Sequence, residues 1–160
     1  RHCSWSVAQV AFTHYSGDKL MRLLVALDGS QVSLRALEYA LGLRDKLAVA
    51  LQLELVNVQP PMTAAVARFV SREVIEEYHQ EQGEEALVPA RALATKAGVQ
   101  FEASILIGRD AEALLEYVAA RDCDGVIMGT RGLGSVAGLL MGSVASKVVH
   151  GALVPVTLVK

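Results

Sequence analysis

Five glycines and a serine crowd one stretch of this chain. Gly129, Gly132, Gly134, Gly138 and Gly142, with Ser143 after them, lie between the short apolar run Gly125–Met128 and the helix-like run Val144–His150. Glycines let a main chain approach a ligand closely. The unpaired N–H groups of a first helical turn attract negative charge. A strand that empties through glycines into a helix start can therefore cradle phosphate. The same glycines could also serve turns and close packing alone, and the residues themselves leave both readings open. A P-loop needs a Lys before its Ser, whereas Ser135 follows Gly134 directly. A dinucleotide fingerprint belongs after the first strand and at another spacing.

Other candidates sit elsewhere. Asp28 ends the apolar run Leu23–Leu27 and could accept hydrogen bonds from ribose hydroxyls or adenine, or simply hold a turn or cap a helix. Val58 ends a second apolar run, where its backbone groups could meet a base edge and its side chain the base face. Arg131 could add a charge or point to water. Ser143 could cap its helix, bind phosphate, or do both. His79 lies in a charged helical run and reads as solvated. His150 sits near a helix C-terminus, where it favours the dipole. Cys123, with no His nearby in sequence, reads as a packed or idle thiol. The run Glu73–Glu85 reads as a solvated face and not a metal site.

The elements that must position these residues alternate. Strands are expected at Arg22–Leu27, Leu51–Val58, Val99–Ile107, Gly125–Met128 and Val154–Val159. Apolar runs of this kind suit strands buried on both faces. Leu34, Leu37 and Leu41, widened by Ala36 and Ala40, form a helical stripe after Ser30, which can cap it. Thr63–Lys96 is mostly helical, with Pro89 expected to kink the helix or begin a new one, and Gly98 to close it. Asp110 can cap a helix over Ala111–Arg121, with Leu114, Leu115 and Val118 as its buried stripe. This βαβαβαβαβ order predicts right-handed crossovers, an α/β fold and an open parallel five-stranded sheet with helices on both faces. Ligands of such sheets bind beyond the carboxyl ends of the strands, where the order reverses. Asp28, Val58 and Gly129 all lie at such ends and share one crevice if the first and fourth strands are neighbours.

The totals bound the rest. A length of 160 residues suits a single domain, and an apolar fraction of 52% supplies a core. Residues 21–160 read as the working domain, and 1–20 as an extension without clean periodicity that is not a secretory signal. A net charge of −2 argues against nucleic-acid binding. No segment reads as a membrane span: the apolar stretch from Leu133 to Val149 is short and carries Ser135, Ser143, Ser146 and Lys147. Its glycines at every fourth residue then belong to a loop and not to membrane packing. Cys3 and Cys123 are far apart in sequence and fit a reducing, cytoplasmic setting.

The spacing Gly129-x-x-Gly132, nine residues, then Gly142-Ser143 is similar to the ATP-binding motif of universal stress proteins, G-2x-G-9x-G-S/T. The likeness runs from Met21 to Lys160 and includes Leu24–Ser30, Val126–Gly132 and the closing Pro155–Val159. The resemblance implies strand order 3-2-1-4-5, an adenine nucleotide alpha hydrolase-like fold, and ATP in the crevice. It carries ATP contacts onto Asp28, Val58, Gly129, Gly132, Gly142, Ser143 and Val144, beside the charge that Arg131 can add. It also implies Mg2+ or Mn2+ held through the phosphates, and a homodimer that pairs the last strands, in keeping with an unprotected sheet edge. Two departures stand out. Asn57 occupies a position where His commonly precedes the Val, and Ala152-Leu153-Val154 replaces a more usual Ala-Pro-Cys. The expected function is that of an ATP-binding regulatory or stress-response protein with little intrinsic hydrolysis, since no activated nucleophile or base accompanies the motif. The alternative is a slow ATPase or nucleotide-dependent transferase in the same crevice.

Overall fold

In a computed structural model of the chain, which describes residues 20–133 and 141–160, five parallel strands form one sheet in the order β3-β2-β1-β4-β5. The strands are β1 (Met21–Ala26), β2 (Leu51–Gln59), β3 (Gln100–Ile107), β4 (Gly125–Gly129) and β5 (Val156–Val159). Between them run α1 (Gln31–Leu43), the short α2 (Ala64–Ala67), the long α3 (Arg72–Ala97), α4 (Asp110–Ala120) and α5 (Ser143–Gly151). The predicted strand order and the helices on both faces are borne out. β1 pairs β2 on one side, from Met21↔Leu51 to Ala26↔Val56, and β4 on the other, from Leu23↔Gly125 to Val25↔Ile127. The chain therefore reverses its direction of travel across the sheet between β1 and β4.

Side-chain alternation along the strands divides the core in two. Leu23, Val25, Leu53 and Leu55 point to one face and pack under α1 and α3 against Ala36, Leu37, Ala40 and Leu87. Leu24, Val56, Val126 and Met128 point to the other and pack under α4 and α5 against Leu114, Val118 and Val148. Ser30 caps α1 by accepting a hydrogen bond from the Ser33 amide at 3.1 Å, as expected. Gly98 closes α3 with φ of 66°, a conformation that favours glycine.

Three local expectations are corrected. Pro89 does not begin a new helix: α3 continues through it, and Ala86, Leu87, Ala90 and Ala94 on either side of it are buried. Asp110 does not cap α4: it is the first helical residue, and the capping position is Arg109, which makes no side-chain bond there. His79 is not solvated. It is 4% exposed, and its Nε2 lies 3.1 Å from the Pro60 carbonyl oxygen, so it ties α3 to the segment leaving β2.

The sequence pattern also gave no warning of Glu54, which is fully buried on β2. Tyr117 donates its hydroxyl to it at 2.8 Å. Arg22 and Arg121 pair with it at 3.3 and 3.4 Å, and Arg121 also bonds Glu102. The network joins β1, β2, β3 and α4. Such a buried carboxylate is tolerable because its oxygens are paired with positive charge and a hydroxyl.

Candidate functional site

A cleft of about 380 Å3 opens at the carboxyl ends of β1, β2 and β4. Its position follows from topology, since the crossovers leaving β1 and β4 run to opposite sides and leave a gap between them. All eight residues singled out from the sequence line it: Asp28, Val58, Gly129, Arg131, Gly132, Gly142, Ser143 and Val144. Arg131 is exposed, at the rim. Val56, Val58, Leu114, Met128 and Val144 give one part of the cleft an apolar wall, while Asp28, Ser33 and Thr130 give another part a polar one.

The main chain at the apolar wall has an unusual feature. The pairing of β1 with β2 ends at Ala26↔Val56, followed by one bond from the Leu27 N–H to the Val56 carbonyl at 2.8 Å. Main-chain groups alternate sides along a strand. Val58, two residues beyond Val56, therefore turns its N–H and C=O to the same side, where β1 has already left.

The three motif glycines are small for different reasons. A Cβ on Gly129 would come within 2.8 Å of Val32 on α1 and 2.9 Å of the Arg131 carbonyl. One on Gly132 would overlap the Asp28 Oδ2. These two glycines are required by the protein's own packing. Gly142 differs: among the described residues a Cβ there would meet nothing closer than the Thr130 carbonyl at 3.5 Å, and its φ of −74° is open to any residue. The described residues make no demand for glycine at that point, and the cleft lies beside it.

Gly142 also donates its N–H to the Thr130 carbonyl at 2.7 Å, so the two ends of the glycine stretch meet. It is the N-cap of α5. Ser143 is consequently the first residue inside the helix and not its cap, and its hydroxyl serves no capping role. The first intrahelical bond runs from Ser146 N–H to the Gly142 carbonyl. The amides of Ser143, Val144 and Ala145 precede it and belong to the first turn, whose N–H groups lack helical partners and carry the positive end of the helix dipole. Residues 134–140, with Gly134, Ser135 and Gly138 of the glycine stretch, lie outside the described residues, as does nearly all of the 1–20 extension.

Asp28 holds this architecture together. Its Oδ1 accepts from the Ser30 amide at 3.0 Å and its Oδ2 from the Leu133 amide at 2.9 Å, across 105 residues of sequence. Burial pushes its carboxyl up, but hydrogen bonds from the Ser30 side chain and the Ser30 and Leu133 amides outweigh this and hold it below its ordinary value. Asp110, at the mouth of the cleft, is shifted the other way. Desolvation raises it, Lys147 opposes the rise, and Glu112 and the Asp28 charge add to it. Two carboxylates in one cleft are thus driven apart in acidity.

Asp110 and Ser33 are lining residues that the sequence reading did not select as site residues. Asp110 carries a signal, since it follows the third strand's end, but an Asp in that place equally suits a helix cap. Ser33 carried no signal: it is 3% exposed and donates its hydroxyl to the Ser30 carbonyl at 2.8 Å. His150 is exposed on the last turn of α5. Cys123 is a buried free thiol, pushed up to about 11 by burial and by the Glu54 charge, which fits the packed thiol expected. No group of three or more His, Cys, Asp or Glu suited to a metal occurs among the described residues, and no helix there is long and apolar enough to cross a membrane.

Comparison with known proteins adds a family to this geometry. A universal stress protein of Methanocaldococcus jannaschii is 31% identical over 147 residues, covering 91% of this chain and 85% of that protein. One of Thermus aquaticus is 35% identical over 139 residues, covering 86% and 97%. Among solved structures, a universal stress protein of Arabidopsis thaliana with AMP bound matches with a TM-score of 0.63 at 22% identity, covering 88% of this chain and 91% of that one. The universal stress protein of Archaeoglobus fulgidus in complex with dAMP matches with a TM-score of 0.62 at 23% identity, covering 88% and 98%. At those identities the structures speak for the fold. The model of the universal stress protein family matches residues 19–160, so the chain belongs to the universal stress protein family.

Proposed function

We propose that this chain binds ATP in the cleft between β1 and β4 and acts as a nucleotide-dependent regulatory or stress-response protein with little hydrolysis of its own. The observation that carries the reading is Gly142. It lacks a side chain that the described residues leave room for, at the head of a helix whose first-turn amides border the cleft. A phosphate group gives that space a use. The base would lie on the apolar wall against Val58, with the Val58 peptide at its edge. Asp28 would accept from ribose or base with the lone pairs its two main-chain donors leave, while Gly129, Gly132, Ser143 and Val144 would border the phosphates and Arg131 would stand at the rim. The AMP and dAMP bound by structural relatives fit an adenine-shaped ligand.

A divalent cation would ride on the phosphates, because Asp28 and Asp110 do not make a cage by themselves. Mg2+ commonly binds in this way, keeping several waters. A cytoplasmic homodimer that joins β5 to its copy fits the same reading, as β5 is an edge strand. The slow ATPase or transferase reading has one observation in its favour. Asp110, which lines the cleft and whose pKa desolvation raises, is suited to take a proton from a water.

Mass spectrometry of small molecules released from freshly purified, denatured protein tests the main reading. ATP at a substantial fraction of one per chain is the expected result. Absence of any adenine nucleotide, together with no affinity in calorimetric titration, would defeat it. Turnover above roughly 1 s⁻¹, the low end for ordinary enzymes, would favour the enzymatic alternative.

A further inference from the structure

The carbonyl at the end of β1 has an unexpected partner. In a parallel ladder, the bond after Leu27 N–H to Val56 carbonyl runs from the Val58 N–H to the Leu27 carbonyl. That bond is not made among the described residues. Instead Asn57, 3% exposed, donates its Nδ2–H to the Leu27 carbonyl at 2.7 Å. Its Oδ1 in turn accepts from the Gln59 Nε2 at 2.7 Å. A side chain has thus taken the ladder position that belongs to its neighbour's main chain, and that neighbour lines the cleft.

We propose that Asn57 is a positioning residue for base recognition: by occupying the Leu27 carbonyl it keeps the Val58 peptide available to the edge of an adenine base. The inference rests on the nucleotide-binding reading above. A buried carbonyl left without a donor is costly. Without the Asn57 amide, the Leu27 carbonyl would recruit the donor that is next in register, the Val58 N–H. The β1–β2 ladder would zip one step further, and the cleft would lose the donor that faces adenine N1. Asn57 touches no ligand in this scheme and acts wholly through Val58.

Two substitutions and one modified nucleotide test it. Asn57→Leu keeps bulk and removes the donor, and Asn57→His returns a ring N–H to the same place. 1-Deaza-ATP lacks the N1 acceptor. In the natural protein without nucleotide, the Val58 amide should exchange rapidly with solvent, and ATP should protect it. ATP should bind about fivefold more tightly than 1-deaza-ATP, the worth of one ordinary hydrogen bond. In Asn57→Leu the Val58 amide should be protected before any nucleotide is added. That variant should bind ATP about fivefold more weakly and 1-deaza-ATP unchanged, so that the preference disappears. Asn57→His should restore both properties.

A purely structural Asn57 would lower stability without erasing the preference between the two nucleotides. A folded Asn57→Leu that keeps the preference and rapid Val58 exchange overturns the inference and leaves ATP binding standing. So does a Val58 amide protected in the natural protein without nucleotide, a result that needs no variant. Absence of ATP affinity in the natural protein overturns the nucleotide reading and this inference with it.

Discussion

Glu54 and Asp28 are carboxylates on adjacent parts of one sheet, and their surroundings are opposite. Glu54 lies inside β2 with no exposed surface and meets Tyr117, Arg22 and Arg121. Asp28 lies two residues past the end of β1, half-buried, and meets the main-chain amides of Ser30 and Leu133. Among the described residues no lysine or arginine pairs with it. Side-chain cations cancel the charge of Glu54 and close its site. Main-chain donors orient Asp28 without cancelling its charge, and its site opens on a cleft. Burial alone does not separate a structural acid from a functional one; the kind of partner does.

The sharpest way to break that comparison is to remove Glu54. Glu54→Ala leaves two arginines and a tyrosine hydroxyl facing a hole, and should cost about 3 kcal/mol, read from urea unfolding. The part-exposed arginines keep the loss at the low end for a broken buried pair. The folded variant should still bind nucleotide normally; a comparable loss of affinity would mean that the two regions are not separable.

Gly142→Val probes the cleft side. Valine's extended φ and ψ suit position 142, and the nearest atoms of the described residues lie at 3.5 Å or more from its Cβ. Stability should fall by about 1 kcal/mol or less, the scale of a weaker N-cap. ATP affinity should fall about a hundredfold, equivalent to roughly 2.7 kcal/mol. Unchanged affinity in titration would show that phosphate does not approach Gly142.

The smallest effect is in pH. The folded-state constant of Asp28 lies below its ordinary 3.8. Its contribution to stability is therefore present above pH 3.8 and lost as pH falls through the folded value. Asp110 is raised and has the opposite sign: its contribution is present below 3.8 and lost as pH rises through its folded value. The stability of the natural protein relative to Asp28→Asn should accordingly fall on acidification below about pH 4, and its stability relative to Asp110→Asn should rise. Parallel behaviour of the two variants in thermal unfolding from pH 2.5 to 6 would overturn the assignment.

Much of this was legible in the sequence because it depends on local order. Apolar runs such as Leu23–Leu27, the alternation of strands with helices, and the glycine spacing are properties of neighbouring residues. Local order puts Asp28, Val58 and Gly129 at strand ends, and the resemblance to universal stress proteins extends the site to the other residues that line the cleft. What was illegible depends on distant partners. His79 looked solvated because Glu76, Glu77, Glu81, Glu84 and Glu85 surround it in sequence, whereas the Pro60 carbonyl decides its place. Glu54 broke an apolar strand, and the arginines that explain it lie 32 residues before it and 67 after it. Gly132 looked like a phosphate glycine, while its visible duty is to make room for Asp28. Asn57 looked like a family departure, and its bond to Leu27 shows a task that no spacing rule encodes.

The bond from Gly142 to the Thr130 carbonyl has an engineering consequence. It holds Thr130 and Gly142 one hydrogen bond apart, so the ends of the intervening chain are already brought together by the protein. Lengthening a closed loop adds entropy cost only slowly, about 0.6 kcal/mol for each doubling. A small reporter domain grafted between residues 133 and 141 would stand beside the helix start that faces the cleft while leaving its footing in place, turning the protein into a reporter of what the cleft holds.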